Sequence, residues 1–450
     1  MIKTSEMLEL LNRHEFFMTD YLVAILNSIK GKKLPMEGKF LSFMKDSISF
    51  QPFGATTPNL RKYFQPGHIR NRVVSNLFDR HQAFFNLIGT LETKDEREVV
   101  NHQLISKMGG GKSCINGFSI LILSRLGHID AKKELFSRFK TFSRALRWGI
   151  TAILGKTGES RWVSLFLLGL DDPEPETVRL AAFGLGWSGA VASSRKLVKL
   201  LFRRNVEVVL SAIKVLAQLR DSRSVPSLKR IAKESRFKKI RATAVSALGE
   251  FVEADTVPVL VRYLKDPEPR ARANAVMALK RKLLSQKNLN PKVIREIKVL
   301  LNDKNNRVKA DTIQALWDLG FVECILEIEP MLKDPNPRVR GSAAYLCGKL
   351  KLHQFKNRLI DLTDDPSWPV RRMAAISFLR LGEANKTTLE SLMRNGTQKQ
   401  QVSAAFALGL TGFTEAIDAL VSRSSSDDEI AQLTGELWLQ IPKTQESMKM

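Results

Sequence analysis

Cysteine is nearly absent from this 450-residue chain, which holds Cys114, Cys324 and Cys347 and no others. An odd, widely spaced trio excludes a disulfide framework, and no pair has zinc-knuckle spacing, so a reducing, cytoplasmic setting is the expectation. Histidine is almost as scarce. His14, His68, His81, His102, His128 and His353 include no H-x-x-x-H pair and none at ligand spacing from a cysteine, so no metal site is expected. No G-x-S-x-G elbow is present. No catalytic residue and no cofactor is assigned. Long apolar runs are missing too. The stretch 163–170 is among the longest and falls far short of the roughly 20 residues that span a bilayer, so no transmembrane segment is expected. The opening MIKTSEMLELLNRHEFF carries acids and lacks an apolar core region, so it does not read as a signal peptide.

Acidic residues are also in deficit. There are 46 Asp+Glu against 71 Lys+Arg, a formal net charge of +25. Such a surplus draws a protein toward polyanions: nucleic acid, anionic membrane or an acidic partner. With 44% hydrophobic residues the chain has ample material for a core.

One stretch invites an enzymatic reading. Residues 108–113 read MGGGKS, close to the end of a phosphate-binding loop. That loop requires G-x-x-x-x-G-K-[ST] between a buried strand and a helix. The position for its first glycine holds Ser106, and the preceding NHQLISK is no apolar strand. A second near-match, Gly155-Lys156-Thr157, has Ile150 in that position. Neither supports nucleotide hydrolysis. The triple glycine reads as a hinge, and Gly155 as the end of a helix.

What the chain has in abundance is repetition. A small or β-branched residue, an arginine and an alanine-rich run recur in IRATAVSALG (240–249), ARANAVMALK (271–280), VRGSAAYLCG (339–348) and VRRMAAISFL (370–379). Weaker copies begin at Phe118, Leu146, Thr177, Val208, Val308, Gln400 and Ile430. Most steps are 30–32 residues, and one longer step contains KRKLLSQKNLNP (280–291), expected to be an inserted loop. Within a copy, Ile240, Ala244, Ala247 and Leu248 form one apolar stripe at helical spacing. A second amphipathic segment and an Asp-Pro turn precede most copies, as at Asp172-Pro173, Asp266-Pro267, Asp334-Pro335 and Asp365-Pro366. Proline suits a helix start and aspartate can cap it. Gly155, Gly249 and Gly348 share the slot at the copy's end and read as helix caps. Each copy is thus helix A, tight turn, helix B, and copies must stack to bury their apolar faces.

DPEPRARANAVMAL and DPNPRVRGSAAYLCGKL resemble HEAT repeats of the bacterial, PBS-lyase HEAT-like type. The resemblance covers about residues 118–440. It implies an all-α fold: an α-solenoid of about ten or eleven stacked HEAT-like helix pairs with a helical N-terminal region. The expected domains are a capping region over 1–117, the solenoid over 118–440 and a flexible tail over 441–450. The family hosts scaffolds, lyases, glycosylases and transport factors on one architecture. HEAT-type di-iron hydroxylases need several His-Glu pairs, and this chain has one, His14-Glu15.

The recurring arginine of helix B (Arg147, Arg241, Arg272, Arg340, Arg371) is expected to pair with turn aspartates as a ladder between repeats. The remaining cations are unevenly spread. Residues 118–239 carry 24 Lys+Arg against 10 Asp+Glu, whereas 351–450 carry 12 of each. The densest runs hold Arg195, Lys196, Lys199, Arg203 and Arg204, then Lys229, Arg230, Lys233, Arg236, Lys238 and Lys239. Lys196, Lys199 and Arg203 are expected on one helical face, and Lys229, Lys233 and Arg236 on the matching face of the next repeat. These cations form the expected partner-binding stripe. The function expected is a non-catalytic scaffold or adaptor that binds another, acidic, protein through a curved surface and this stripe. The alternative is a DNA- or RNA-binding HEAT protein resembling the alkylpurine DNA glycosylases, with Trp148 and Trp187 as candidate contacts.

Overall fold

The computed structural model describes residues 114–423, apart from 252–254 and 287–288, together with scattered helical positions between 78 and 105. The MGGGKS motif, His14, His68, the copy starting at Ile430 and the expected tail lie outside the described residues, as does nearly all of the expected capping region. Every regular element among the described residues is a helix. They divide into two compact units, one ending at Ile231 and one beginning at Ala232; the division falls inside the repeat array.

The first unit contains α1 (Cys114–Arg125), α2 (Ile129–Arg138), α3 (Arg144–Thr157), α4 (Val163–Gly169), α5 (Pro175–Trp187), α6 (Ser194–Leu200), α7 (Val206–Leu219) and most of α8 (Val225–Glu234). The second contains α9 (Lys238–Leu248), α10 (Val257–Tyr263), α11 (Pro269–Gln286), α12 (Pro291–Val299), α13 (Asn306–Asp318), α14 (Ile328–Leu332), α15 (Pro337–Lys349), α16 (Lys356–Asp361), α17 (Trp368–Arg380), α18 (Asn385–Asn395), α19 (Gln398–Gly409) and α20 (Thr414–Arg423).

In both units the odd-numbered helices are the B helices, and each packs on the next: α3 on α5 and α5 on α7, then α9 on α11, α11 on α13 and on through α19. Alanine makes this possible. Ala242, Ala244 and Ala247 on α9 and Ala273, Ala275 and Ala278 on α11 are buried with Leu248 and Leu279. A small side chain lets two helix backbones approach, and each fully buried leucine contributes about 2 kcal/mol by leaving water. The A helices are shorter and close each pair from one side, as α10 does on α11 and α14 on α15.

The helix ends depart from the sequence expectation in three ways. Gly155 and Gly348 lie inside α3 and α15, and Gly249 closes α9 with an ordinary φ of −71°. At Gly348 and Gly249 the role is close approach: a Cβ on Gly348 would stand 2.6 Å from Ser377 Cα, and one on Gly249 2.8 Å from Ala278 Cα. Left-handed chain reversal occurs instead at Gly127, Gly158, Gly189 and Gly320, and at Arg220 and Lys351 in the same place of their repeats. Second, the Asp-Pro aspartates do not cap the helix itself. Asp172 accepts the Glu174 N–H at 2.9 Å and closes the turn, while the second proline, Pro175, occupies the first helical turn. Third, the longer repeat step is not a loop over most of its length. Helix α11 continues to Gln286, with Lys282 and Leu283 buried, before Asn290 caps α12.

Candidate binding surface

The recurring arginines explain what holds neighbouring turns together. Arg147 donates from Nε and Nη2 to both carboxylate oxygens of Asp172, at 2.6 and 3.2 Å. Arg241 grips Asp266 in the same way at 2.9 and 3.1 Å, Arg272 grips Asp303 at 2.7 and 2.8 Å, and Arg340 grips Asp365 at 2.8 Å twice. The remaining Nη1 turns back to its own repeat, as Arg340 does to the Asp334 carbonyl at 2.8 Å. Arg371 makes this backward contact to the Asp365 carbonyl at 2.8 Å. One planar fork thereby ties the turn of its own repeat to the turn of the next, a geometry lysine cannot reproduce.

The charge pairs are electrostatically settled. Asp266, Asp303 and Asp365 hold the guanidinium pKa values of Arg241, Arg272 and Arg340 above the ordinary arginine range. At Asp303, burial pushes the carboxyl up, but the hydrogen bonds from Arg272 and from the Asn305 N–H together outweigh it and leave the group below its usual range.

The ladder has a gap. Where the repeat calls for arginine, the chain has the buried Val178 and Val209. In the slots of the turn aspartates it has Arg203 and Ser235. With no buried carboxylate there to neutralise, the ladder requires no cation in these turns. Yet Arg203-Arg204 and Arg236, Lys238 and Lys239 fill them. These cations have no ladder role.

The structure places the eleven stripe residues as follows. Arg195, Lys196 and Lys199 are exposed on α6, whose Leu197 and Leu200 face inward. Arg203 and Arg204 are exposed but lie in the turn after α6, because Leu200 and Leu201 are both buried and the helix stops there. On α8, Lys229 is half-buried and Arg230 and Lys233 are exposed. Arg236 is exposed in the next turn, and Lys238 and Lys239 open α9. The expected single helical faces therefore do not form: Arg203 and Arg236 belong to turns, where helix spacing does not apply.

Partners differ along the set. Arg203 donates to the Leu170 carbonyl at 3.3 Å and stands 3.9 Å from Asp171. Lys238 stands 3.7 Å from Glu268. Among the described residues, Arg195, Lys196, Lys199, Arg204 and Lys233 make no ion pair.

Two aromatics that the sequence reading passed over sit among these cations. Phe202 is 50% exposed, with the Arg230 guanidinium 5.1 Å from its ring centroid. Phe237 is 44% exposed, with Arg236 at 5.4 Å. The signal was available in LLFRRN and ESRFKK: an aromatic beside paired cations in a turn where other repeats have Asp-Pro.

Of the tryptophans suggested as nucleic-acid contacts, Trp148 is buried and cannot serve. Trp187 is 45% exposed at the end of α5, its ring stacked on Phe183 at 5.8 Å. Gly155-Lys156-Thr157 is helical, and a Cβ on Gly155 would meet the Trp187 ring at 3.5 Å. Burial pushes the Cys324 and Cys347 thiols up to about 11 and about 12, which keeps them protonated. Among the described residues no group of three His, Cys, Asp or Glu side chains is placed to hold a metal ion. No helix among them is long and apolar enough to cross a membrane.

Comparison with known proteins agrees with this architecture. Residues 226–290 and 296–380 match the family model for HEAT repeats. The chain's fold is an all-α solenoid of helix pairs. No curated protein matches the sequence. Among solved structures the chain is similar to YibA of E. coli, at 20% identity over 57% of this chain and 96% of that one, with a TM-score of 0.35. It is similar to the CpcE–CpcF complex of phycocyanin lyase from Nostoc, at 18% identity over 54% and 94%, with a TM-score of 0.32. It is also similar to the karyopherin Kap121p bound to Nup53p, at 13% identity over 96% of this chain and 53% of that one, with a TM-score of 0.44.

Proposed function

We propose that this chain is a non-catalytic HEAT-repeat scaffold that docks an acidic macromolecular partner, a protein in the first instance, through the cations from Arg195 to Arg230 in the first unit and, as a separate set, those from Lys233 to Lys239 in the second. The observation that carries this reading is the gap in the ladder. Arg147, Arg241, Arg272 and Arg340 are consumed by buried aspartates. In the gap the turns carry Arg203, Arg204, Arg236, Lys238 and Lys239 where other repeats have Asp-Pro, and ten of the eleven residues in the set are exposed. Exposed charge of one sign steers an oppositely charged partner and sets a salt-dependent association rate. A second reading, nucleic acid in place of an acidic protein, is favoured by one observation: the exposed Phe202 ring beside Arg230.

The experiment is a charge reversal. Lys196→Glu combined with Lys199→Glu is expected to weaken binding of a fluorescent polyglutamate peptide at least tenfold at low salt. Lys399→Glu, at an exposed site in a region of balanced charge, is expected to change it less than twofold. Equal effects from the two variants would show that net charge alone attracts the peptide, and the docking surface would be withdrawn.

A further inference from the structure

The turn after α6 is more than a patch of charge. Leu200 and Leu201 are buried beneath it, and Asn205 caps α7 by accepting the Val208 N–H at 3.1 Å. Between these anchors the chain raises Phe202 into solvent, flanked by Lys199, Arg203 and Arg204. The Arg203 N–H donates to the Leu200 carbonyl at 3.2 Å, so the turn's backbone is fixed. The Arg230 guanidinium is on the Phe202 ring. Half of the Phe202 side chain is thus left in water on a fixed turn.

A segment of acidic residues alone would use the cations and leave this ring idle. A duplex would do the same, since its bases are stacked inside and phosphates are what it presents. An unpaired nucleobase uses both features: its flat face stacks on an aromatic ring while cations neutralise the phosphates on either side. We propose that the partner docked at this turn is single-stranded nucleic acid, with a base stacked on Phe202 and flanking phosphates held by Lys199, Arg203 and Arg204. This rests on the polyanion-docking reading above, but at this turn takes its second form, nucleic acid, in place of an acidic protein.

The test titrates the full chain against three fluorescent probes at several salt concentrations. The probes are an oligothymidylate of about twelve nucleotides, a duplex of the same length and a polyglutamate peptide. The oligothymidylate is expected to bind at least tenfold more tightly than either of the others. Its log affinity is expected to fall against log salt with a slope of roughly −2, for about three phosphate contacts. Phe202→Ala is expected to weaken it about tenfold at every salt concentration without changing the slope, and Phe202→Trp to restore it. Arg204→Glu is expected to weaken binding and make the slope shallower. Both positions are exposed, and an unchanged melting curve verifies the fold of each variant. If all three probes bind alike and Phe202→Ala is neutral, stacking is refuted and the polyanion dock stands. Tighter binding of polyglutamate also refutes it, in favour of an acidic protein. If none binds at low salt, both readings fall.

Discussion

Arg340 and Asp365 show how much one fork can hold. The Asp365 side chain is 4% exposed and accepts from Arg340 and from the Ser367 N–H. Arg340→Ala strands that carboxylate with a single donor. Removing one partner of a well-buried pair costs more than the pair's net worth, here about 2–4 kcal/mol. The expected readout is a lowered urea midpoint, and Arg340→Lys is expected to recover little of it because ammonium cannot bind both oxygens. A midpoint unchanged in the alanine variant would show that the ladder is ornamental. Acid tests the neighbouring rung. Asp303 is held below its usual range in the fold, so its contribution is complete above the ordinary aspartate pKa. It is lost as pH falls through the lower folded value. Unfolding midpoints measured below about pH 4 should therefore fall, and fall less steeply in Asp303→Asn. The raised thiols of Cys324 and Cys347 are expected to resist alkylation near pH 8 until denaturant is added, which mass mapping of the labelled peptides would show. The pairing partners of the arginines were legible in sequence because both halves recur. The gap was legible as well, since Val178 and Val209 stand in the arginine slot, but it has meaning only once the fork is seen to need its aspartate.

At the scale of the helix, the B helices announce themselves by alanine at helical spacing, and all of the described copies form. What sequence could not distinguish is why a glycine sits where it does. A glycine ending an alanine-rich helix has two causes, a left-handed cap or a neighbour's backbone, and the same letter serves both. Gly348→Ala separates them. Gly348 has no positive φ, so without the contact alanine would cost little; with it, the new methyl meets the Ser377 backbone, which cannot rotate away. A loss of about 1–3 kcal/mol is expected, read as a fall in melting temperature. Ala244 is buried between helices in the second unit, and Ala244→Asp places an unpaired charge there. It is expected to cost more than 3 kcal/mol or to abolish folding, and an unaffected melting curve would contradict the packing. The extension of α11 was missed for a related reason: KRKLLSQK is polar enough to read as a loop, yet Lys282 is buried with its ammonium donating to the Phe251 carbonyl at 2.6 Å.

Over the whole molecule, charge density was readable and its geometry was not. Counting located the excess in residues 118–239, but assigning the cations to helix faces failed where the chain leaves the helix, at Arg203 and Arg236. Net charge on its own predicts diffuse attraction to any polyanion. The interruption of the ladder predicts a place. Hydrogen exchange read by mass spectrometry, with and without a saturating polyanion, decides between them most directly. Protection is expected in peptides covering 195–204 and 229–239, with 351–423 unchanged. Protection spread evenly over the described repeats, or centred on 351–423, would contradict the account.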